Sequence, residues 1–142
     1  MERALRALAR LDAPPILACL VPRPYFSDTM LDELHSPPAV RESLADLHAR
    51  LRARFGERLV QARLFGSHAR GDFRPDSDVD VLVVVKGLTR QERREVYDLA
   101  EDVNFERRIP LATLVWSAEY AQWMRDREYL IVDEIDTEGV AL

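Results

Sequence analysis

The chain has 142 residues, 47% of them hydrophobic, and its 20 basic and 25 acidic side chains give a formal charge of −5. That length suits one domain, and the apolar fraction suffices for a core and argues against wholesale disorder. The net acidity argues against a broad grip on a nucleic acid backbone, which needs a basic face, although Arg50, Arg52, Arg54, Arg58, Arg63, Arg70 and Arg74 crowd one stretch and leave room for a local basic patch. The single cysteine, Cys19, has no intramolecular disulfide partner, and no Cys/His grouping has zinc-like spacing. The scattered His35, His48 and His68 read as surface or helix residues. The apolar run at residues 16–21 is too short to span a bilayer and nothing resembles a signal peptide, so the expectation is a soluble cytoplasmic protein with no membrane partner.

Residues 2–11 repeat Leu and Ala at helical spacing and predict a short amphipathic helix. Pro14, Pro15, Pro22 and Pro24 then interrupt the chain, and residues 1–35 read as an N-terminal extension ahead of a domain at 36–142. Ser36 is a suitable N-cap with Pro37 in the first turn; Val40, Leu44, Leu47, Leu51 and Phe55 follow as an apolar stripe, and Gly56 ends the helix. Such a stripe has to pack against a sheet. Residues 59–65 read as a strand stopped by Gly66, and 79–85, rich in valine, as a central strand covered on both faces. Thr89 and Glu92 form a capping box for a helix whose apolar stripe is Val96, Leu99, Ala100 and Val103. Residues 109–116 predict a third strand, Ser117 caps a short helix carrying Tyr120, Trp123 and Met124, and residues 127–138 predict a last helix ended by Gly139. The order describes a small α/β (α+β) domain, a small mixed sheet flanked by helices. Trp116, Tyr120, Trp123 and Tyr129 read as core and helix packing, with an exposed partner-binding patch as the alternative.

The informative stretch is LFGSHARGDFRPDSDVDVLVVV, residues 64–85. Gly66-Ser67 ends a strand, where a glycine lets a backbone approach a phosphate closely. Residues 67–70 then open a helical turn whose N–H groups suit a triphosphate. Asp78 and Asp80 stand two residues apart at the start of the apolar strand and therefore project together. Two adjacent anions repel unless a cation lies between them, and Mg²⁺ takes carboxylate oxygens while keeping positions for water and phosphate. Arg70 and Arg74 are candidates to neutralise phosphate charge, with Arg74 the better surface residue.

Gly66-Ser67, ten residues, then Asp78-Val79-Asp80 resembles the signature of the nucleotidyltransferases of the DNA polymerase beta superfamily, and GSHARGDFRPDSDVD is similar to the minimal nucleotidyltransferase family in particular. The resemblance is strong over the middle third and extends to about Trp116. It implies a polymerase beta-like fold in which Asp78 and Asp80 are catalytic and hold Mg²⁺, while Gly66, Ser67 and Arg70 bind the nucleotide. The implied reaction moves a nucleoside monophosphate, AMP from ATP, to a protein acceptor; the implied partner is a HEPN-type toxin, for which this chain would be the antitoxin. Catalytic members usually also carry a third carboxylate on a neighbouring strand, and residues 109–115 contain no acid; Glu106 and Glu119 do not fall at the expected place, and Asp72 in the loop is a conceivable substitute that the spacing does not support. The alternatives are a non-catalytic nucleotidyltransferase-like binding module and a small-molecule nucleotidyltransferase of the aminoglycoside-modifying kind.

Overall fold

The computed structural model describes residues 34–142. The helix expected at residues 2–11, and the extension as far as residue 33, lie outside the described residues. Helix α1 (Pro38–Phe55) leads through a 3₁₀ turn (Gly56–Arg58) into β1 (Leu59–Phe65). A single helical turn, α2 (Ser67–Arg70), and a loop precede β2 (Val79–Val85). The rest of the chain is α3 (Arg90–Arg107), β3 (Leu111–Ser117), α4 (Ala118–Asp126), α5 (Leu130–Glu138) and β4 (Val140–Ala141).

The strands form one mixed sheet in the order β3-β2-β1-β4. β1 runs antiparallel to β2 and to β4, whereas β2 and β3 are parallel. A parallel pair cannot be joined by a hairpin, and α3 is the crossover that brings β3 alongside β2. The valine run of β2 is thereby central, with one face against α1 and α3 and the other against α4 and α5, as its unbroken apolar character predicts. Val79, Val81, Val83 and Val85 meet the buried stripe of α1 (Val40, Leu44, Leu47, Leu51, Phe55) and Val96, Ala100 and Val103 of α3. Leu82 and Val84 on the opposite face meet Phe65, Ala118, Ala121 and Ile135. Each of the valine, leucine, isoleucine and phenylalanine side chains among these, fully buried, stabilises the fold by about 1.5–3 kcal/mol relative to exposure. The imperfect alternation in β1 has a local cause: the pairing slips between Leu59 and Gln61, a bulge that shifts which residues face the core.

Several boundaries differ from the sequence expectation. Pro37, not Ser36, is the N-cap of α1, with Pro38 in the first turn and no side-chain cap. Ser36 is drawn instead to His68, 32 residues away. β3 begins at Leu111 rather than 109, and the last helix begins at Leu130 rather than 127, after a turn in which Glu128 has φ 53°. β4 was not anticipated: a two-residue strand is too short for a periodic signal, and only pairing with Arg63 and Leu64 defines it. The capping box of Thr89 and Glu92 is present, as is the Ser117 cap on Tyr120. Among the described residues no helix is long and apolar enough to cross a membrane.

The arginine-rich stretch does not make an open basic patch. Arg50 bonds Asp46 and Glu106, Arg54 bonds Glu95, and Arg58 forks onto Glu92 at 2.7 and 2.8 Å, which ties α1 and the 3₁₀ turn to α3. Arg58, and next the backbone of Thr89, hold the Glu92 carboxyl down from 4.5 to about 2. Because the folded value is depressed, this contribution to stability is complete above about 4.5 and is lost as the pH falls through about 2. Denaturant midpoints measured across that interval are expected to drop more steeply for the native chain than for Glu92→Gln; parallel curves would remove Glu92 as a source of acid sensitivity.

Candidate active site

The antiparallel register of β1 and β2 builds the centre. Phe65, the last residue of β1, pairs with Asp80, so Gly66 is delivered against the Asp80 side chain. A Cβ at Gly66 would collide with Asp80 Oδ2 and come within 3.2 Å of Cγ. Gly66 also has φ 72° and ψ −155°, a region open essentially to glycine alone. The chain then turns into α2, where the Gly66 carbonyl accepts from the N–H groups of Ala69 and Arg70, and the Ser67 carbonyl accepts from Gly71 and Asp72. The first N–H groups of a helical turn have no acceptor inside the turn, so those of Ser67 and His68 are the ones a phosphate oxygen can use. The predicted phosphate-binding turn and the predicted acidic pair are thus neighbours.

Asp78 is exposed and stands just before β2, whereas Asp80 is its second residue and half-buried. Burial first, and the negative charge of Asp78 second, push the Asp80 carboxyl above its ordinary value, while His68 and Arg70 pull it down. Burial and a neighbouring anion both disfavour the charged form of Asp80, and a divalent cation between the two carboxylates relieves that cost. Two carboxylates supply hard oxygen donors, and their small number suits Mg²⁺, which keeps several waters and shares its sphere with phosphates. The donor set fits one such ion. Among the described residues no group of three or more His, Cys, Asp or Glu is placed to hold a metal.

The register of β2 on β3 shows which residue stands beside Asp80 on the neighbouring strand. Asp80 is paired with Ala112, whose side chain projects from the same face of the parallel sheet. That position carries a methyl group. Asp72 does not supply the third carboxylate, being exposed and bonded to Arg70 at 3.3 Å. Arg70 is itself exposed and also bonded to Glu138 at 3.2 Å, so a triphosphate would have to exchange these carboxylates for its own oxygens. The loop from α2 to β2 is pinned by a turn in which the Arg74 backbone N–H donates to Ser77 Oγ at 2.7 Å, and Arg74 itself is exposed.

His68 is the residue the sequence undervalued. It is helical, as expected, but only 4% exposed. Its ring stacks on Phe73 at 4.3 Å, and Ser36 Oγ lies 3.1 Å from Nδ1 and donates to the His68 carbonyl. His35 packs against Gly71 from the same segment. His68 therefore fastens the phosphate-binding turn to the entry of α1 and to the loop that carries Asp78, a positioning role. The only sequence cue was a histidine between a Gly-Ser turn and an aromatic residue.

A family model described as "Nucleotidyltransferase domain" matches residues 44–131, more than half of the chain, including Gly66, Ser67, His68, Asp78, Asp80 and Ala112. The "Putative protein adenylyltransferase" of Methanocaldococcus jannaschii is 29% identical over 85 residues, which are 59% of this chain and 79% of that one. Among solved structures, the crystal structure of a "putative nucleotidyltransferase" from Sulfolobus solfataricus aligns with a TM-score of 0.41 at 21% identity, covering 75% of this chain and 86% of that one. A toxin–antitoxin structure with AMP-PNP aligns with a TM-score of 0.46 at 19% identity, covering 67% and 68%. A matched segment that begins within α1 and runs into α5 takes in the glycine turn, the aspartate pair and the strands that join them, so the chain belongs to the nucleotidyltransferase domain family.

Proposed function

We propose that this chain transfers AMP from ATP to a hydroxyl of a protein acceptor, with Asp78 and Asp80 as the catalytic carboxylates that hold Mg²⁺. The observation that carries the reading is the contact of Gly66 with Asp80, which sets a phosphate-binding turn beside a cation-demanding pair. Gly66 and Ser67 cradle the phosphates with backbone N–H groups and the Ser67 hydroxyl, and Arg70 adds positive charge at the rim. Mg²⁺ bound at the pair would neutralise the triphosphate and polarise the α-phosphate. The acceptor oxygen bonds to the α-phosphorus, the bond from that phosphorus to the bridging oxygen breaks, pyrophosphate leaves, and the hydroxyl proton passes to solvent. Positioning and charge neutralisation account for most of such a reaction.

The protein nature of the acceptor is supported by the similarity to the "Putative protein adenylyltransferase" of Methanocaldococcus jannaschii. An antitoxin role toward a HEPN-type toxin rests on the resemblance of GSHARGDFRPDSDVD to the minimal nucleotidyltransferases. With Mg²⁺ and the acceptor present, label from α-labelled ATP is expected on protein, label from γ-labelled ATP is not, and EDTA abolishes the transfer. Transfer from the γ position would overturn the reading. Ala112 beside Asp80 favours a second reading, a nucleotide-binding module without turnover; it predicts retained ATP binding with no label transferred under any condition.

A further inference from the structure

The end of β3 and the pair α4–α5 carry a connected row of aromatic rings. Trp116 meets Tyr120 edge-on at 5.6 Å, Tyr120 stacks on Trp123 at 5.7 Å, and Trp123 stacks on Tyr129 at 5.6 Å. Tyr120, Trp123 and Tyr129 are 43%, 40% and 42% exposed, so core packing does not account for them. The turn that brings Tyr129 onto Trp123 places Glu128 at φ 53°, a left-handed conformation uncommon for a non-glycine residue. That turn is held by bonds from Glu128 N–H to the Arg125 carbonyl and from Tyr129 N–H to the Met124 carbonyl. The row is therefore a built surface and not a scatter of single exposed rings.

Two observations say what it takes. Arg127 already lies over the Trp123 ring at 4.2 Å, so the row accepts a guanidinium on its face. Asp136 is paired with Arg125 and Arg63 and Glu138 with Arg70, while Glu119, Asp126, Glu128, Asp133 and Glu134 are exposed on α4, α5 and the turn between them. An acidic, aromatic surface attracts an arginine-bearing protein face and repels a nucleic acid backbone. Its location suits an acceptor. α4 and α5 cover the sheet face from which Asp80, Leu82 and Val84 project, and α5 ends at Glu138 on Arg70 of the nucleotide site.

We propose that the aromatic row of α4–α5 is the docking surface for an arginine-rich face of the acceptor protein. The inference deepens the reading above, that the acceptor is a protein, and rests on it. Both tryptophans of the chain, Trp116 and Trp123, lie in the row, so intrinsic fluorescence reports on this surface. Titration of the full chain with a nona-arginine peptide, without nucleotide, is expected to change tryptophan emission saturably. A nona-lysine peptide should bind at least threefold more weakly, because planar guanidinium adds stacking and a lower hydration cost to the cation–π attraction that both ions make. Tyr120→Ala/Tyr129→Ala keeps both tryptophans and should weaken nona-arginine at least tenfold, with circular dichroism checking the fold. Equal affinity for the two peptides, undiminished binding by the double variant, preferential binding of single-stranded oligonucleotide, or burial of the row in a dimer of this chain that competes with peptide would each overturn it. Asp80→Asn, run in parallel, lacks transfer yet should bind the peptide normally, so loss of docking and loss of the nucleotidyl-transfer reading are separable.

Discussion

Asp80→Ala is expected to lower nucleotidyl transfer by about a thousandfold, about 4 kcal/mol of transition-state stabilisation, because it removes the half-buried half of the cation-holding pair. Gly66→Ala should lower transfer by about a hundredfold for a linked reason. Its Cβ would meet the Asp80 carboxylate and its φ of 72° is foreign to alanine. The two changes should not add. Once the Asp80 carboxylate is gone, the new methyl group has space, and only the backbone strain, about 1–3 kcal/mol, remains. Urea unfolding of the four proteins in this cycle should therefore show a smaller cost for Gly66→Ala in the Asp80→Ala background. Asp80→Ala alone should unfold no earlier than the native chain, since burial and Asp78 already disfavour the charged Asp80 carboxyl. Strict additivity in both stability and rate would mean that Gly66 acts independently of the acidic pair.

Ala112→Asp is expected to raise transfer in the presence of Mg²⁺, by about a hundredfold if proton removal limits the native chain, the lower end of what a positioned base contributes. The parallel register puts the new carboxylate beside Asp80 on the same face of the sheet. Without metal the variant adds a third negative charge to a centre that already disfavours its second, so its thermal midpoint should fall and be restored by Mg²⁺ more than in the native chain. An unchanged rate with tightened metal binding would assign proton removal to the acceptor or to solvent. A raised rate would show that the absence of a carboxylate at Ala112 limits turnover.

The sequence by itself determined whatever depends on neighbours in the chain. The stripe of Val40, Leu44, Leu47, Leu51 and Phe55, the Thr89–Glu92 box and the valine run of β2 each specify an element through local sterics and hydrogen bonding, and all three are present. The acidic pair and the Gly-Ser turn were legible for the same reason, as side-chain period and glycine geometry act over two or three residues. The tertiary structure alone decided what depends on residues distant in sequence. Ser36, chemically a good cap, is recruited by His68 because folding sets them side by side, and that same contact buries a histidine expected on a surface or in a helix. A run of arginines becomes a set of ion pairs once α3 crosses α1. Whether Ala112 or some other residue stands beside Asp80 is fixed by a strand register that no local window contains, and Val140–Ala141 is a strand only because β1 offers it an edge. Local interactions choose the elements; burial and register, which couple residues far apart in the chain, choose which side chains share the site.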